Sequence, residues 1–206
     1  LKVAVLFSGD AASVYSLHLA REAGLEVRYL VTARDSQSSR IYRSLDLHLT
    51  RLSARSLAIP LIEFVADSEG DISSLIQALR DLDIDGLCDG AVRSNRRRNR
   101  LLDVCKMLEI QLVLPLWHKD PSEILASMIE EGFEIMIVKL KSDRLDESWH
   151  GQVLDGENRD EFLQACDESE IDPMGESGEF ETIILAGPNM QSRIGVSVSA
   201  FSNQSP

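Results

Sequence analysis

KVAVLFSGDAASVYSLHLAREAG, residues 2–24, decides the fold of this 206-residue chain. Val3 to Phe7 is a continuous apolar run of strand length, and Ser8, Gly9 and Asp10 are turn residues. From Ala11 to Ala23 the apolar positions Val14, Leu17 and Leu19 fit a helix that stops at Gly24. The stretch therefore reads strand, turn, helix. The same order recurs downstream. Residues 27–32 (VRYLVT) are rich in β-branched and aromatic side chains, Leu45 to Leu57 reads as a helix, and Pro60 introduces the apolar run Leu61 to Val65. Ile72, Leu75, Ile76, Leu79 and Leu82 share a helical face before a short strand at Ile84 to Cys88. Repeated βα units predict an α/β fold: a doubly wound, Rossmann-like parallel sheet with right-handed crossovers and ligands gathered at the carboxyl ends of its strands.

The second half is less regular. A helix at Leu101 to Leu108 precedes the apolar run Leu112 to Leu116. DPSEILASMIEEG, residues 120–132, then carries a helix N-cap at Asp120, proline at the first helical position, Glu123 three residues after the cap and a glycine stop. A strand at Phe133 to Leu140, a short helix at Glu161 to Asp167 and the glycine-rich DPMGESGEFETIIL, residues 172–185, follow. We expect a nucleotide-binding domain over 1–115 and a smaller α+β substrate domain over 116–206.

Composition narrows the function classes. The net charge is −13, with residues 1–100 near neutral at 14 basic and 13 acidic side chains, and residues 101–206 acidic at 7 and 21. This balance argues against nucleic acid bound by the surface as a whole and leaves an anion-tolerant first half. Cys88, Cys105 and Cys166 form no CxxC pair, so neither a zinc site nor a disulfide framework is expected, and they read as buried small side chains. No run approaches the roughly 20 apolar residues of a membrane helix. Val3 to Phe7 is too short for a secretion signal, and a cytoplasmic location is the expectation.

A turn between the first strand and first helix of such a sheet points backbone N–H groups, and the positive end of the helix dipole, at an anion. Ser8, Gly9 and Ser13 suit that use; taken alone, the turn reads more readily as a plain βα connection with a serine cap.

Several motifs in order make the chain resemble the diphthine-ammonia ligase family, a branch of the PP-loop ATP pyrophosphatases. They are KVAVLFSG (2–9), YLVT (29–32), LAIPLI (57–62), DGAVRS (89–94), LPLWHKDP (114–121), GFEIMIVKL (132–140), LDESWHG (145–151) and DPMGESGEFETIIL. The last resembles the family signature Pro-x-Gly-Glu-x-Gly-Glu-Phe-Glu-Thr from Pro173 to Thr182. The resemblance implies an ATP-dependent ligase that uses Mg2+. Such an enzyme adenylates the carboxylate of diphthine, a modified histidine on elongation factor 2, releases pyrophosphate, and lets ammonia displace AMP. Adenylation supplies the leaving group that a bare carboxylate lacks, and the protein's task is to hold the partners in line and neutralise charge.

Against the family pattern Ser-Gly-Gly-Lys-Asp-Ser, residues 8–13 keep Ser8, Gly9 and Ser13 but have Asp10, Ala11 and Ala12 between. The loop loses its lysine and gains a net negative charge. One unit charge pair at about 4 Å is worth about 4 kcal/mol at an effective dielectric near 20. Asp10 avoids this penalty if its carboxylate caps the helix. Five of the chain's sixteen arginines lie between Arg93 and Arg100; Arg98 and Arg100 are in step with the family's arginines, and Arg43 stands where relatives tend to carry histidine. A basic cluster at a helix start opposes the dipole. Arg98 and Arg100, beside Gly90 and Ala91, are therefore expected to join Ser8, Gly9, Asp10 and Ser13 in binding the nucleotide, with a solvated helix start as the less favoured alternative.

Glu176 and Glu179, on a backbone that Gly175 and Gly178 let bend, are the candidates for catalysis or ammonium binding, against an acidic surface loop. Trp117 and Trp149, inside family motifs, are expected with Gly175 and Gly178 at a substrate cleft. Three functions remain in view: the ligase, with elongation factor 2 and ammonium as substrates; a nucleotide- or partner-binding homologue impaired in catalysis; and, weakest, an RNA-modifying PP-loop enzyme. A homo-oligomer is compatible with each.

Overall fold

The computed structural model describes residues 1–34, 47–66 and 72–196. Arg43 lies outside them. Five parallel strands, β1 (Lys2–Leu6), β2 (Glu26–Arg34), β3 (Leu61–Val65), β4 (Gly86–Cys88) and β5 (Gln111–Val113), form a sheet in the order β3-β2-β1-β4-β5. They alternate with helices α1 (Ala11–Glu22), α2 (Leu47–Leu57), α3 (Ser73–Leu79) and α4 (Asn95–Leu108). The α/β expectation holds.

The apolar run at the N-terminus explains why the sheet is covered on both faces. Successive side chains of a strand point to opposite sides. Val5 and Phe7 join Val14 and Leu17 of α1 in one buried cluster, while Ala4 and Leu6 join Leu75 and Leu79 of α3 and Leu101 and Val104 of α4 in another. A strand apolar on both faces is what such a layered sheet requires.

After β5 the chain forms α5 (Pro121–Glu130), then β6 (Glu134–Leu140), β7 (Val153–Leu154), α6 (Arg159–Glu168) and β8 (Phe180–Ala186). The three strands form an antiparallel sheet in the order β7-β6-β8. Ile135, Ile137 and Ile184 of this sheet belong to the same buried cluster as α1, so the two sheets share a core through that helix.

Several expected boundaries move. α4 begins at Asn95, six residues before the apolar run that first marks it, because Ser94 caps it by accepting the Arg97 N–H at 3.3 Å. The arginines therefore lie on the helix. β5 ends at Val113, since the following residues turn back, with Trp117 N–H donating to the Leu114 carbonyl at 3.2 Å. α3 ends at Leu79, short of the expected Leu82.

Candidate active site

β1 pairs with β2 on one side and β4 on the other, so the loops leaving β1 and β4 diverge toward helices on opposite faces of the sheet. This is a topological switch point, where open α/β sheets bind ligands. The 8–13 loop, the 89–94 loop and the 174–176 turn from the C-terminal half meet there around a partly open cavity of about 90 Å3.

The 8–13 loop is closed by its own hydrogen bonds. Gly9, with φ +87°, makes the turn, and a Cβ there would fall 3.0 Å from Ser53 Oγ. Ser13 Oγ accepts the Gly9 N–H at 3.1 Å and the Ser8 N–H at 3.4 Å, and pairs with Ser8 Oγ at 3.2 Å. The Asp10 carboxylate caps α1, accepting the Ser13 N–H at 2.8 Å. The Ala11 N–H donates to Thr182 Oγ1 of the C-terminal signature at 3.1 Å. The N–H groups of Ser8, Gly9, Ala11 and Ser13 are thus engaged by side chains. Gly90 lies so close to α1 that a Cβ would sit 2.7 Å from the Ala12 carbonyl oxygen.

Asp89 is fully buried and grips Arg97: Nε donates to Oδ1 at 2.8 Å and Nη2 to Oδ2 at 2.6 Å, while Asp89 Oδ1 also accepts the Ala91 N–H at 2.9 Å. Burial works to lower the Arg97 pKa; the charge and hydrogen bonds of Asp89 outweigh it, with help from Asp10 and Glu176, and hold the guanidinium above its usual value. Three carboxylates therefore act on one guanidinium. Neither Arg97 nor Asp89 is among the expected site residues. The signal available was the aspartate directly before Gly90, eight residues from an arginine.

Of the expected residues, Ser8, Asp10, Ser13, Gly90 and Ala91 line the cavity with Gly175 and Glu176. Gly9 holds the turn between them. The Glu176 carboxylate accepts the N–H groups of Val92 at 3.0 Å, Arg93 at 2.9 Å and Ser94 at 3.3 Å, directly before α4. Arg98 and Arg100 do not line the cavity: Arg98 lies over the Trp117 ring, 5.5 Å from its centroid, and Arg100 Nη1 is buried without a hydrogen-bond partner. Arg98 is about a third of a turn round the helix from Arg97, whereas Arg100, three residues on, shares its face nearly one turn further along α4.

A second cleft of about 690 Å3 adjoins the first. It is lined by Asp120, Glu170, Asp172, Glu176 and Glu179, and by Arg93, whose Nη2 lies 3.6 Å from Asp120 Oδ2. Glu179 Oε1 is 3.9 Å from Arg144 Nη2, and its Oε2 is buried without a hydrogen-bond partner. Burial raises the Asp172 pKa, as do Glu176 and Glu179, against a hydrogen bond from the Met174 N–H. Trp149 corrects its expectation. It is 8% exposed and packs edge-on against Phe162 at 5.0 Å, because an indole among apolar neighbours gains more from the core than from a polar cleft. Gly175 and Gly178, at φ +65° and +92°, shape the turn that carries Glu176.

Residues 1–112 match the diphthamide synthase N-terminal domain and residues 120–203 the diphthamide synthase C-terminal domain. The chain belongs to the diphthamide synthase family. It is 27% identical to the diphthine-ammonia ligase of Rattus norvegicus, over 97% of this chain and 84% of that one, and 26% identical to that of Homo sapiens, over 94% and 82%. A solved structure from Methanocaldococcus jannaschii, described as a predicted subunit of tRNA methyltransferase, superposes with a TM-score of 0.52 at 17% identity, covering 91% of this chain and 98% of that one. It shares the fold.

The ATP that this family implies does not fit the cavity at the 8–13 loop in this closed arrangement. About 90 Å3 is well below the roughly 300 Å3 at which ligand pockets begin, and the loop presents an acidic Asp10 and an uncharged Ala11 with no lysine among residues 8–13. No group of three or more metal-binding side chains occurs among the described residues. No described helix is long and apolar enough to cross a membrane.

Proposed function

We propose that this chain is a ligase of the diphthine-ammonia type, joining ammonia to the diphthine carboxylate of elongation factor 2 at the expense of ATP, in the cytoplasm. The observation that carries the reading is the convergence of the family's N- and C-terminal motifs: Thr182 meets the Ala11 N–H and Glu176 meets the 92–94 N–H groups, joining segments 171 and 84 residues apart. When bound, ATP with Mg2+ supplies the activation of the carboxylate. The chain's own residues hold the partners and move protons. Ser8, Gly9, Ser13, Gly90 and Ala91 form the wall that faces the nucleotide, and Arg97 is the cation of that wall. Glu179 and Asp172, in the acidic cleft, hold ammonium and take its proton; a carboxylate with a buried free oxygen suits a cationic guest. Trp117 and the turn at Gly175 to Gly178 guide the protein substrate.

The test is incubation with diphthine-bearing elongation factor 2, ATP, Mg2+ and an ammonium salt, scored for AMP release and for conversion of diphthine to its amide by mass spectrometry. ATP-dependent conversion supports the reading; none, where a relative converts the same substrate, refutes it.

A second reading has its own observation. The Asp10 cap and the loss of the loop lysine favour a homologue that keeps the fold and partner surface but turns over little nucleotide. Restoring Gly-Lys-Asp at positions 10–12 tests it. A gain in nucleotide affinity identifies the loop as the defect, and no gain removes this reading.

A further inference from the structure

Glu176 and Ser94 line both cavities, so the Glu176 side chain is part of the wall between the space at the 8–13 loop and the acidic cleft. Its carboxylate holds three successive N–H groups at 2.9 to 3.3 Å. Those donors immediately precede α4, a 14-residue helix whose dipole favours an anion at that end. A carboxylate carried by the C-terminal half thus occupies N–H donors that follow β4 of the N-terminal sheet.

The segment that carries Glu176 is a short turn framed by two glycines. Gly178 N–H donates to the Gly175 carbonyl at 2.9 Å, closing a turn with a glycine at each end, both at positive φ. Ser177 between them is exposed. Swinging Glu176 outward needs changes at these glycines and leaves β8 and α4 in place. It would also remove one of the carboxylates that act on Arg97.

We propose that Glu176 is an autoinhibitory latch: its carboxylate closes the anion-binding N–H groups of residues 92–94, and an incoming phosphate group displaces it and opens the two cavities into one. The proposal rests on the nucleotide reading above. It accounts for the misfit of ATP with the closed cavity, since the 90 Å3 space merges with the 690 Å3 cleft once the partition moves.

The experiment is calorimetric titration of the whole chain with inorganic pyrophosphate, at fixed ionic strength, on four proteins: the native chain, Glu176→Ala, the chain with Gly-Lys-Asp at 10–12, and that chain with Glu176→Ala. The latch predicts at least tenfold tighter pyrophosphate binding for Glu176→Ala in each background. It also predicts faster amide exchange at residues 92–94 that slows again with pyrophosphate. A staple that merely joins the two halves predicts lower stability with unchanged or weaker affinity, and that result overturns the latch. If the Gly-Lys-Asp chain binds equally with Glu176 or alanine, the latch fails and the nucleotide site stands. If none of the four binds, the nucleotide reading falls and takes the latch with it. Should Glu176→Ala fail to fold, Glu176→Gln, which keeps one acceptor oxygen, replaces it with a smaller gain expected; no gain there overturns the proposal.

Discussion

The guanidinium of Arg97 closes on the buried carboxylate of Asp89 through two hydrogen bonds of 2.8 and 2.6 Å, at the point where the sheet's connections diverge. This pair fixes the start of α4 against the end of β4. It also engages the one arginine of the cluster that lines the loop cavity.

Breaking the pair from one side leaves a buried charge without its partner. Arg97→Met should cost about 3–5 kcal/mol in urea unfolding, the usual cost of such a break. Asp89→Leu with Arg97→Met should recover most of it, because a matched apolar pair carries no desolvation penalty. A single-variant loss below about 1 kcal/mol would mean that the pair is not holding α4.

Asp10 has two separable effects, capping α1 and opposing phosphate. Asparagine caps as well as aspartate but carries no charge. Asp10→Asn should leave the unfolding free energy within about 0.5 kcal/mol. It should raise pyrophosphate affinity about tenfold, a part of the roughly 4 kcal/mol that a close charge pair is worth before solvent screening. Calorimetry and urea unfolding on the same preparation check both halves.

The tryptophans should separate cleanly. Trp149→Ala removes a side chain packed on Phe162 in the shared core and should destabilise by about 3–5 kcal/mol. Trp117 is half-buried under Arg98, and Trp117→Ala should cost about 1 kcal/mol or less, mostly the lost cation–π contact. Equal losses would contradict this division.

Asp172 gives a pH signature. Its folded pKa is raised by burial and by Glu176 and Glu179, so folding favours its protonated form. That contribution is fully present below its ordinary value of 3.8 and is lost as pH rises through the folded value. Asp172→Asn keeps the acceptor for the Met174 N–H and removes the charge. Its thermal midpoint should therefore exceed the native one at pH 7, and the difference should vanish below pH 3.8. A constant difference across pH would assign the effect to packing.

Much of the fold is legible in residues 2–24 because one strand apolar on both faces, followed by a capped helix, admits few architectures. The residues that line the cavity at 8–13, 90–91 and 175–176 are legible because turns at strand ends have few tasks. What escapes is direction. Nothing in five clustered arginines says that Arg97 turns inward to Asp89 while Arg98 covers Trp117; the helix phase decides it, and Ser94 sets that phase by capping six residues earlier than the apolar run suggests. Likewise, a motif containing Trp149 does not distinguish cleft from core, which depends on Phe162 arriving from α6. The strand at Val153–Leu154 is too short to leave a periodic signal.

The most direct measurement is the amidation assay on diphthine-bearing elongation factor 2, run with the native chain and with a known diphthine-ammonia ligase beside it. The account predicts AMP release and ATP-dependent conversion of diphthine to diphthamide by the native chain, faster when Gly-Lys-Asp is restored at 10–12. Conversion by the known ligase, with neither AMP nor diphthamide from the native or the restored chain, would contradict it.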